Sequence, residues 1–192
     1  QTLEGALRNV PGITIAIGEG GALNGDQFKI RGFNAQDDIY VDGLRDFGVY
    51  TRDSFAFESV QVLKGPSGAL FGRGSVGGAI NTQSKRPRLT DSTTLDVFVG
   101  NGNYFRALAD VNHQLSGAAA LRLNFMFQSN DVVGRDYIES SRWGVAGSIG
   151  FGLGTPTSFT VNYLHREDDR RPDYGIMILQ SPGQLTAMPA SE

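Results

Sequence analysis

The sequence predicts two unlike parts. A small α+β domain of short strands and many loops runs to Pro87, and antiparallel strands of alternating polarity fill residues 88–192. Three observations carry this reading. The stretch from Glu58 to Pro87 holds Gly65, Gly68, Gly72, Gly74, Gly77 and Gly78, and glycine is tolerated where backbone passes close to other backbone or takes positive φ. Lys85-Arg86-Pro87 then punctuates the chain, and its character changes. Beyond that point apolar and polar residues alternate over runs of about 8–11 residues, the period of a strand with two different faces.

The elements of the first part follow in order. Thr2 to Asn9 reads as a short helix, because Leu3, Leu7 and Val10 share one stripe, Thr2 can cap it and Pro11-Gly12 ends it. Ile13, Ile15 and Ile17 alternate as a strand. Gly18 to Gly25 is a loop. Phe28 to Gly32 and Asp38 to Val41 are further strands, and Asp42-Gly43 is a turn. Leu44 to Ser54 (LRDFGVYTRDS) is a polar and aromatic excursion. Phe55 to Lys64 leads into the glycine-rich stretch, and Ala79 to Thr82 is extended again.

In the second part five strands are expected: Thr93–Gly100, Phe105–Leu115, Ala119–Ser129, Trp143–Gly152 and Ser158–His165. Ala119–Ser129 is the clearest, with Leu121, Leu123, Phe125 and Phe127 facing one way and Arg122, Asn124, Met126 and Gln128 the other. Asn130 to Arg142 is expected as a longer polar loop, Gly154-Thr155-Pro156 as a short turn, and the chain from Arg166 as a loop. Alternating long and short connections between tilted spans fit an outer-membrane barrel. Alternation alone fits a soluble β-meander with one buried face equally well.

Composition narrows the chemistry. There is no cysteine, hence no disulfide or thiolate metal site. His113 and His165 cannot make a metal site without carboxylate help, and a net charge of −3 argues against a nucleic-acid footprint. No run of about 18 apolar residues encodes a transmembrane helix. Gly72 to Gly77 matches G-x-G-x-x-G, yet Gly78-Ala79-Ile80-Asn81 is poor material for the helix that a dinucleotide site requires. Those glycines read better as packing positions. No Ser/His/Asp order suggests a nucleophile, and the acid pairs Asp37-Asp38 and Asp168-Asp169 read as solvated loop charges, so no catalytic residue is expected.

IRGF at Ile30–Phe33, YVDGLRD at Tyr40–Asp46, ESVQVLKGPSGALFGRGSVGGAIN at Glu58–Asn81 and the closing KRP resemble, in that order, the plug domain of TonB-dependent outer-membrane receptors. The siderophore-receptor branch is most similar, and LRDFGVYTRDSF resembles its catecholate type. The resemblance implies a plug over 1–87, followed over 88–192 by the first five strands of a transmembrane barrel of about 22. The chain would then be the N-terminal part of a longer receptor, because five strands leave open edges in hydrocarbon. It also implies a non-enzymatic importer of ferric siderophores in the outer membrane of a Gram-negative bacterium, a monomer surrounded by lipid and lipopolysaccharide. Energy would come from the TonB–ExbB–ExbD complex through a TonB box upstream of Gln1. The iron chelate would be substrate, with no resident cofactor.

In such receptors the apical loops of the plug floor the substrate pocket. By resemblance these loops carry Arg31, Asn34, Arg45, Asp46, Phe47, Tyr50, Arg52 and Asp53. Arginine would supply charge and planar stacking, and aromatics would supply stacking faces, for an anionic aromatic chelate. For Arg31 a loop-pinning role stands level with ligand contact. Arg73, with Arg31 as a second candidate, would pair with barrel glutamates and lock the plug in place. Receptors for cobalamin, a sugar or a bacteriocin share the general motifs, and a non-transporting β-rich binding protein is the remaining alternative.

Overall fold

A computed structural model describes residues 2–16, 25–66, 76–133, 138–171, 178–181 and 184–187. The chain begins in a helix, α1 (Leu3–Leu7), whose first turn is capped by Thr2: its hydroxyl accepts from the Gly5 N–H at 3.1 Å. Leu3 and Leu7, one turn apart, are both buried. They pack on Ile13, Phe28, Ile30, Ala35, Ile39 and Ile80, which form the core of the first part.

Two small sheets enclose that core. The first has the order β1 (Ile13–Ile15), β2 (Phe28–Ile30), β3 (Phe33–Asn34). Arg31 and Gly32 turn the β2–β3 hairpin with φ of 52° and 85°, the geometry of a tight primed turn. The second sheet has the order β5-β4-β7-β6, built from β4 (Ile39–Val41), β5 (Leu44–Arg45), β6 (Phe57–Lys64) and β7 (Gly78–Ser84). β4 and β7 run parallel, pairing Ile39 with Ile80 and Val41 with Thr82. Gly78 has φ 144°, and a Cβ there would lie 2.0 Å from the Leu63 carbonyl oxygen. At this point the packing role expected of the glycines has a direct physical cause. Gly68, Gly72, Gly74 and Arg73 lie outside the described residues.

The second part is a five-stranded antiparallel sheet in the order β12-β11-β10-β9-β8. Its strands are β8 (Ser92–Gly100), β9 (Tyr104–Ser116), β10 (Ala119–Asp131), β11 (Glu139–Phe151) and β12 (Phe159–Arg170). A hairpin of β13 (Ile178–Ser181) and β14 (Gln184–Ala187) follows. By resemblance Asp173-Tyr174-Gly175, in the final loop, would face outside and add an aromatic to the pocket mouth; it lies outside the described residues.

Three sequence expectations need correction. β10 and β11 extend to Asp131 and from Glu139, so both ends of the expected polar loop over 130–142 are strand and the connection shortens to 132–138. β12 runs through the charged segment to Arg170, with Arg166 opposite Gly144, Asp168 opposite Arg142 and Arg170 opposite Ser140. Cross-strand pairing holds these polar residues extended where the sequence pattern alone suggested loop. Long and short connections do not alternate: the segments between strands are 101–103, 117–118, 132–138 and 152–158.

The polarity of this sheet is inverted relative to a soluble sandwich. On the face toward the α+β part, Arg106, Asn112, Arg122, Asn124, Gln128, Arg142 and Ser148 are buried. On the other face Leu95, Val97, Val99, Phe125, Phe127, Trp143, Phe151 and Tyr163 are exposed. A contiguous apolar outer face with a polar inner one is what hydrocarbon outside and a filled lumen inside require, and a soluble meander would expose the opposite face. The α+β part sits against the inner face. The single-turn 3₁₀ helix Ser54–Ala56 brings Phe55 and Ala56 onto Met126, Leu108 and Ala146. Glycine in the wall permits the approach: a Cβ on Gly144 would lie 2.9 Å from Phe55 Cζ, and one on Gly150 2.9 Å from Pro87 Cγ.

A charge on the outer face should therefore be costly. Phe125→Arg, in the middle of β10, is expected to destabilise the complete protein in lipid by about 2–4 kcal/mol, read by urea-dependent folding into vesicles. A cost near zero would place this face in water.

Candidate functional site

The loop between β5 and the 3₁₀ helix is closed on one side chain. Asp46 turns its own backbone, Oδ1 accepting from the Gly48 N–H at 2.9 Å. Its Oδ2 accepts from the Tyr50 hydroxyl at 2.6 Å and from Arg52 Nη2 and Nε at 2.8 and 3.1 Å. Arg52 Nη2 also donates to the Gly48 carbonyl at 3.0 Å, and the guanidinium lies 4.3 Å from the Tyr50 ring centroid. Gly48 cannot carry a side chain without conflict, since a Cβ would lie 2.6 Å from Tyr50 Cε1.

Beneath the loop, Arg52 turns to a second acid. Its backbone N–H and Nη1 both donate to Asp26 Oδ2, at 3.0 and 3.2 Å. Burial pushes the Tyr50 phenol up to about 12, reinforced by its bond to Asp46. Burial works against the charge of Asp46, but the bonds from Tyr50, Gly48 and Arg52 outweigh it and leave the carboxyl below its ordinary range.

Arg45 stands on the other side of the loop. Its Nη2 donates to Asp38 at 2.7 Å, and its guanidinium carbon lies 5.7 Å from both the Tyr40 and Phe47 ring centroids. Phe47 is 73% exposed and its neighbours Leu44 and Val49 are exposed too. The rim of the loop thus presents an arginine plane beside an open aromatic face, and its base is a set of buried ion pairs in which Asp26 Oδ2 is bonded and Oδ1 is not.

The next residue fastens the loop to the wall. Asp53 caps the 3₁₀ helix, Oδ1 accepting from the Phe55 N–H at 3.1 Å. The same carboxylate receives both guanidinium nitrogens of Arg106, from β9, at 2.7 and 2.9 Å. Arg142 of β11 lies 3.7 Å from Asp53 Oδ2, and Gln128 of β10 accepts from Arg106 at 2.7 Å and Arg142 at 2.6 Å. A second polar contact lies further along the wall. Arg122 pairs with Asp110 at 2.8 Å and with Glu58 at 2.8 Å, and Lys85 pairs with Asp110 at 2.8 Å. Arg88 pairs with Glu58 as well.

A family model, the TonB-dependent receptor plug domain, matches residues 1–79. The chain belongs to the TonB-dependent receptor family. It is 40% identical over 183 residues to the catecholate siderophore receptor Fiu of Escherichia coli K12, covering 94% of this chain and 24% of that protein. It is 31% identical to a ferrioxamine receptor of Yersinia enterocolitica, covering 77% of this chain and 22% of that one. The crystal structure of the siderophore receptor PiuA from Acinetobacter baumannii superposes with a TM-score of 0.85 at 41% identity, covering 93% of this chain and 26% of that one. The chain spans about a quarter of the length of the relatives it matches. The α+β part is thus a plug and the five-stranded sheet a stretch of barrel wall.

In this receptor the residues singled out from the sequence fall into three groups. Arg45, Asp46, Phe47, Tyr50 and Arg52 come together in one loop, with Arg45 and Phe47 at the rim. Arg52 differs from the expected ligand contact: its side chain is 1% exposed, and it holds Asp26 and Asp46. Arg31 and Asn34 belong to the β2–β3 hairpin, where Arg31 lies against Gly12 and Gly65 and Asn34 accepts from the Gln36 N–H. Arg73 lies outside the described residues.

Sequence reasoning missed the wall contact at Asp53. The expected pairing of Arg73 with barrel glutamates lies outside the described residues, and the contact the structure does describe joins a plug aspartate to barrel arginines. The available signal was Arg106, Arg122 and Arg142, each in phase with the polar face of its strand and too costly to bury without an acid partner.

The Asp53 contact has a definite pH signature. Burial disfavours its charge, the Arg106 hydrogen bonds outweigh that, and the carboxyl falls below the ordinary 3.8. A depressed acid stabilises above its unfolded value and loses that contribution as pH falls through the folded one. Asp53→Asn, which can still cap the 3₁₀ helix, should cost about 3–5 kcal/mol at neutral pH by stranding Arg106. In urea titrations of the complete receptor the gap to wild type should narrow only below pH 3.8. A gap that is constant down to acid pH would reject the ion pair as its source.

Proposed function

We propose that this chain is the N-terminal part of an outer-membrane active importer of ferric siderophores, with catecholate chelates as the favoured class. The observation that carries the reading is the rim of the plug loop, where Arg45 lies over Phe47 and the aromatic face stands open. An anionic chelate with aromatic edges needs such a surface: a delocalised cation for charge and stacking, beside an aromatic plane. The catecholate receptors among the relatives support this class, and the ferrioxamine receptor makes a second chelate class an arm of the test.

Iron enters this scheme as cargo inside the chelate. Binding alone cannot concentrate it, because a ligand shifts an equilibrium only by its differential affinity for the two states. The importer therefore draws on the TonB–ExbB–ExbD complex through a segment ahead of the plug. The barrel sits in outer-membrane lipid and lipopolysaccharide as a monomer, and the plug rearranges to let the chelate reach the periplasm. Arg31, Asn34, Asp46 and Tyr50 shape the floor around the rim. Arg52 supports it from below, and Arg73 contributes to holding the plug in the barrel.

The test uses the complete receptor. Arg45→Ala/Phe47→Ala should still fold, less stably because Arg45→Ala removes the ion-pair partner of buried Asp38, and should bind a ferric tris-catecholate at least about tenfold more weakly, from the loss of one stacking and one charge contact. Calorimetric titration reads the affinity, and growth of a deletion strain on single chelates under iron limitation reads transport. Unchanged affinity in the double variant would remove the rim from the site. Growth supported only by a ferrioxamine, or by no iron chelate, would overturn the catecholate or the siderophore class respectively.

A further inference from the structure

We propose that Arg52 and Asp53 couple the apical loop and the barrel wall to the N-terminal segment of the plug, so that a change at any one of the three is felt at the other two. Three separate structures converge on this dipeptide. The Arg52 side chain holds the loop through Asp46 and Gly48. The Asp53 side chain holds the wall through Arg106. The backbone of the same two residues holds the N-terminal segment: Thr2 bridges Asp53 as antiparallel strand, and the Leu3 N–H donates to the Arg52 carbonyl at 2.8 Å.

The convergence is rigid on all sides. Both side chains are almost wholly buried, at 1% for Arg52 and 0% for Asp53. Arg52 is fixed by its backbone as well as its guanidinium, both on Asp26. Thr2 caps α1, whose Leu3 and Leu7 lie in the plug core, so the segment cannot shift without disturbing the core. Movement of the loop changes what Arg52 can reach, and movement of Thr2–Leu3 pulls on the carbonyl of Arg52 and the strand position of Asp53. Coupling free energy is reciprocal, so whatever the loop or the wall contributes to holding the N-terminal segment, the segment contributes equally to holding them. The proposal depends on the importer reading only for its use: there, a bound chelate is signalled to the segment on which the energy source acts, and force on that segment reaches the wall contact and the loop together.

Amide exchange of residues 3–8 in the complete receptor tests the coupling without any ligand. Asp53→Asn keeps the cap of the 3₁₀ helix and removes the wall charge. Asp46→Asn weakens the loop's hold on Arg52 and touches no wall residue. Each should raise exchange in 3–8 on the order of tenfold, as expected for weakening a charge-assisted contact. Glu58→Gln weakens a different plug–wall pair, Glu58 with Arg122, and should leave 3–8 within about twofold of wild type. Equal rises in all three variants would mean general loosening of the plug and overturn the proposal, as would no rise in either Asp46→Asn or Asp53→Asn. Addition of a ferric tris-catecholate to wild type should then shift exchange in 3–8. If the variants behave as stated and the chelate shifts nothing, the coupling stands and the catecholate reading fails.

Discussion

The structure turns on a buried carboxylate between two bodies. Asp53 belongs to the plug, yet its ligands are Arg106 and Arg142 of the wall. A buried arginine on a strand cannot be left unpaired, because desolvation of the guanidinium costs several kcal/mol. The polar inner face of the wall therefore demands a plug with acids at the right heights. Asp53 meets Arg106, and Glu58 meets Arg122. Asp110 of the wall is answered in turn by Lys85 of the plug. Complementary charge, more than apolar contact, sets how the plug sits. Among the described residues the buried apolar contact centres on the small group around Phe55, Ala56 and Met126.

The same carboxylate explains the order of the loop above it. Residues 46–53 contain little regular structure, and an irregular segment of this kind would ordinarily be mobile. Here the two ends are held differently. Asp53 is fixed to the wall, and one residue earlier Arg52 gathers Asp46, Gly48 and Asp26. Arg45 and Phe47 are then displayed from a closed ring instead of a free loop. A preorganised rim loses less conformational entropy when it takes a ligand. The division between an exposed rim and a buried base follows from what each side chain reaches: Arg52 reaches Asp26 and Asp46, while Phe47 stays exposed.

Much of this was legible in the sequence, for reasons that also mark its limits. The short helix was readable because Leu3 and Leu7 obey the helical period and Thr2 supplies the cap. The wall strands were readable because Phe125, Phe127 and their neighbours obey a period of two. Strand ends were misjudged at 130–142 and from Arg166, since polarity suggested loop while cross-strand pairing carries strands well beyond an apolar span. The loop residues were found through resemblance, which marks a region but cannot separate Arg45 at the rim from Arg52 at the base. That distinction needs Asp26, a residue 26 positions away whose carboxylate nothing local points to. The Asp53–Arg106 contact spans 53 positions and joins two structural parts, so the wall pattern can mark Arg106 as needing an acid but cannot name Asp53.

The chemistry of this interface differs in kind from apolar burial. Apolar burial between plug and wall would scale with area and would resist displacement everywhere at once. Ion pairs behave otherwise. The pair as a whole adds little net stability over a hydrophobic substitute, yet removal of one partner is severe, because it strands the other charge. An interface built on such pairs is specific in register and modest in total strength. Once parted, its groups are also suited to water: guanidinium and carboxylate on a lumen wall hydrate readily, where exposed leucine and phenylalanine would collapse onto one another. The wall keeps its greasy residues for the other face, Phe125 and Trp143 among them. Five strands with a polar inner face and an apolar outer one, and an acid set between two arginines, thus join plug to wall by charge and leave the apolar surface to the outside.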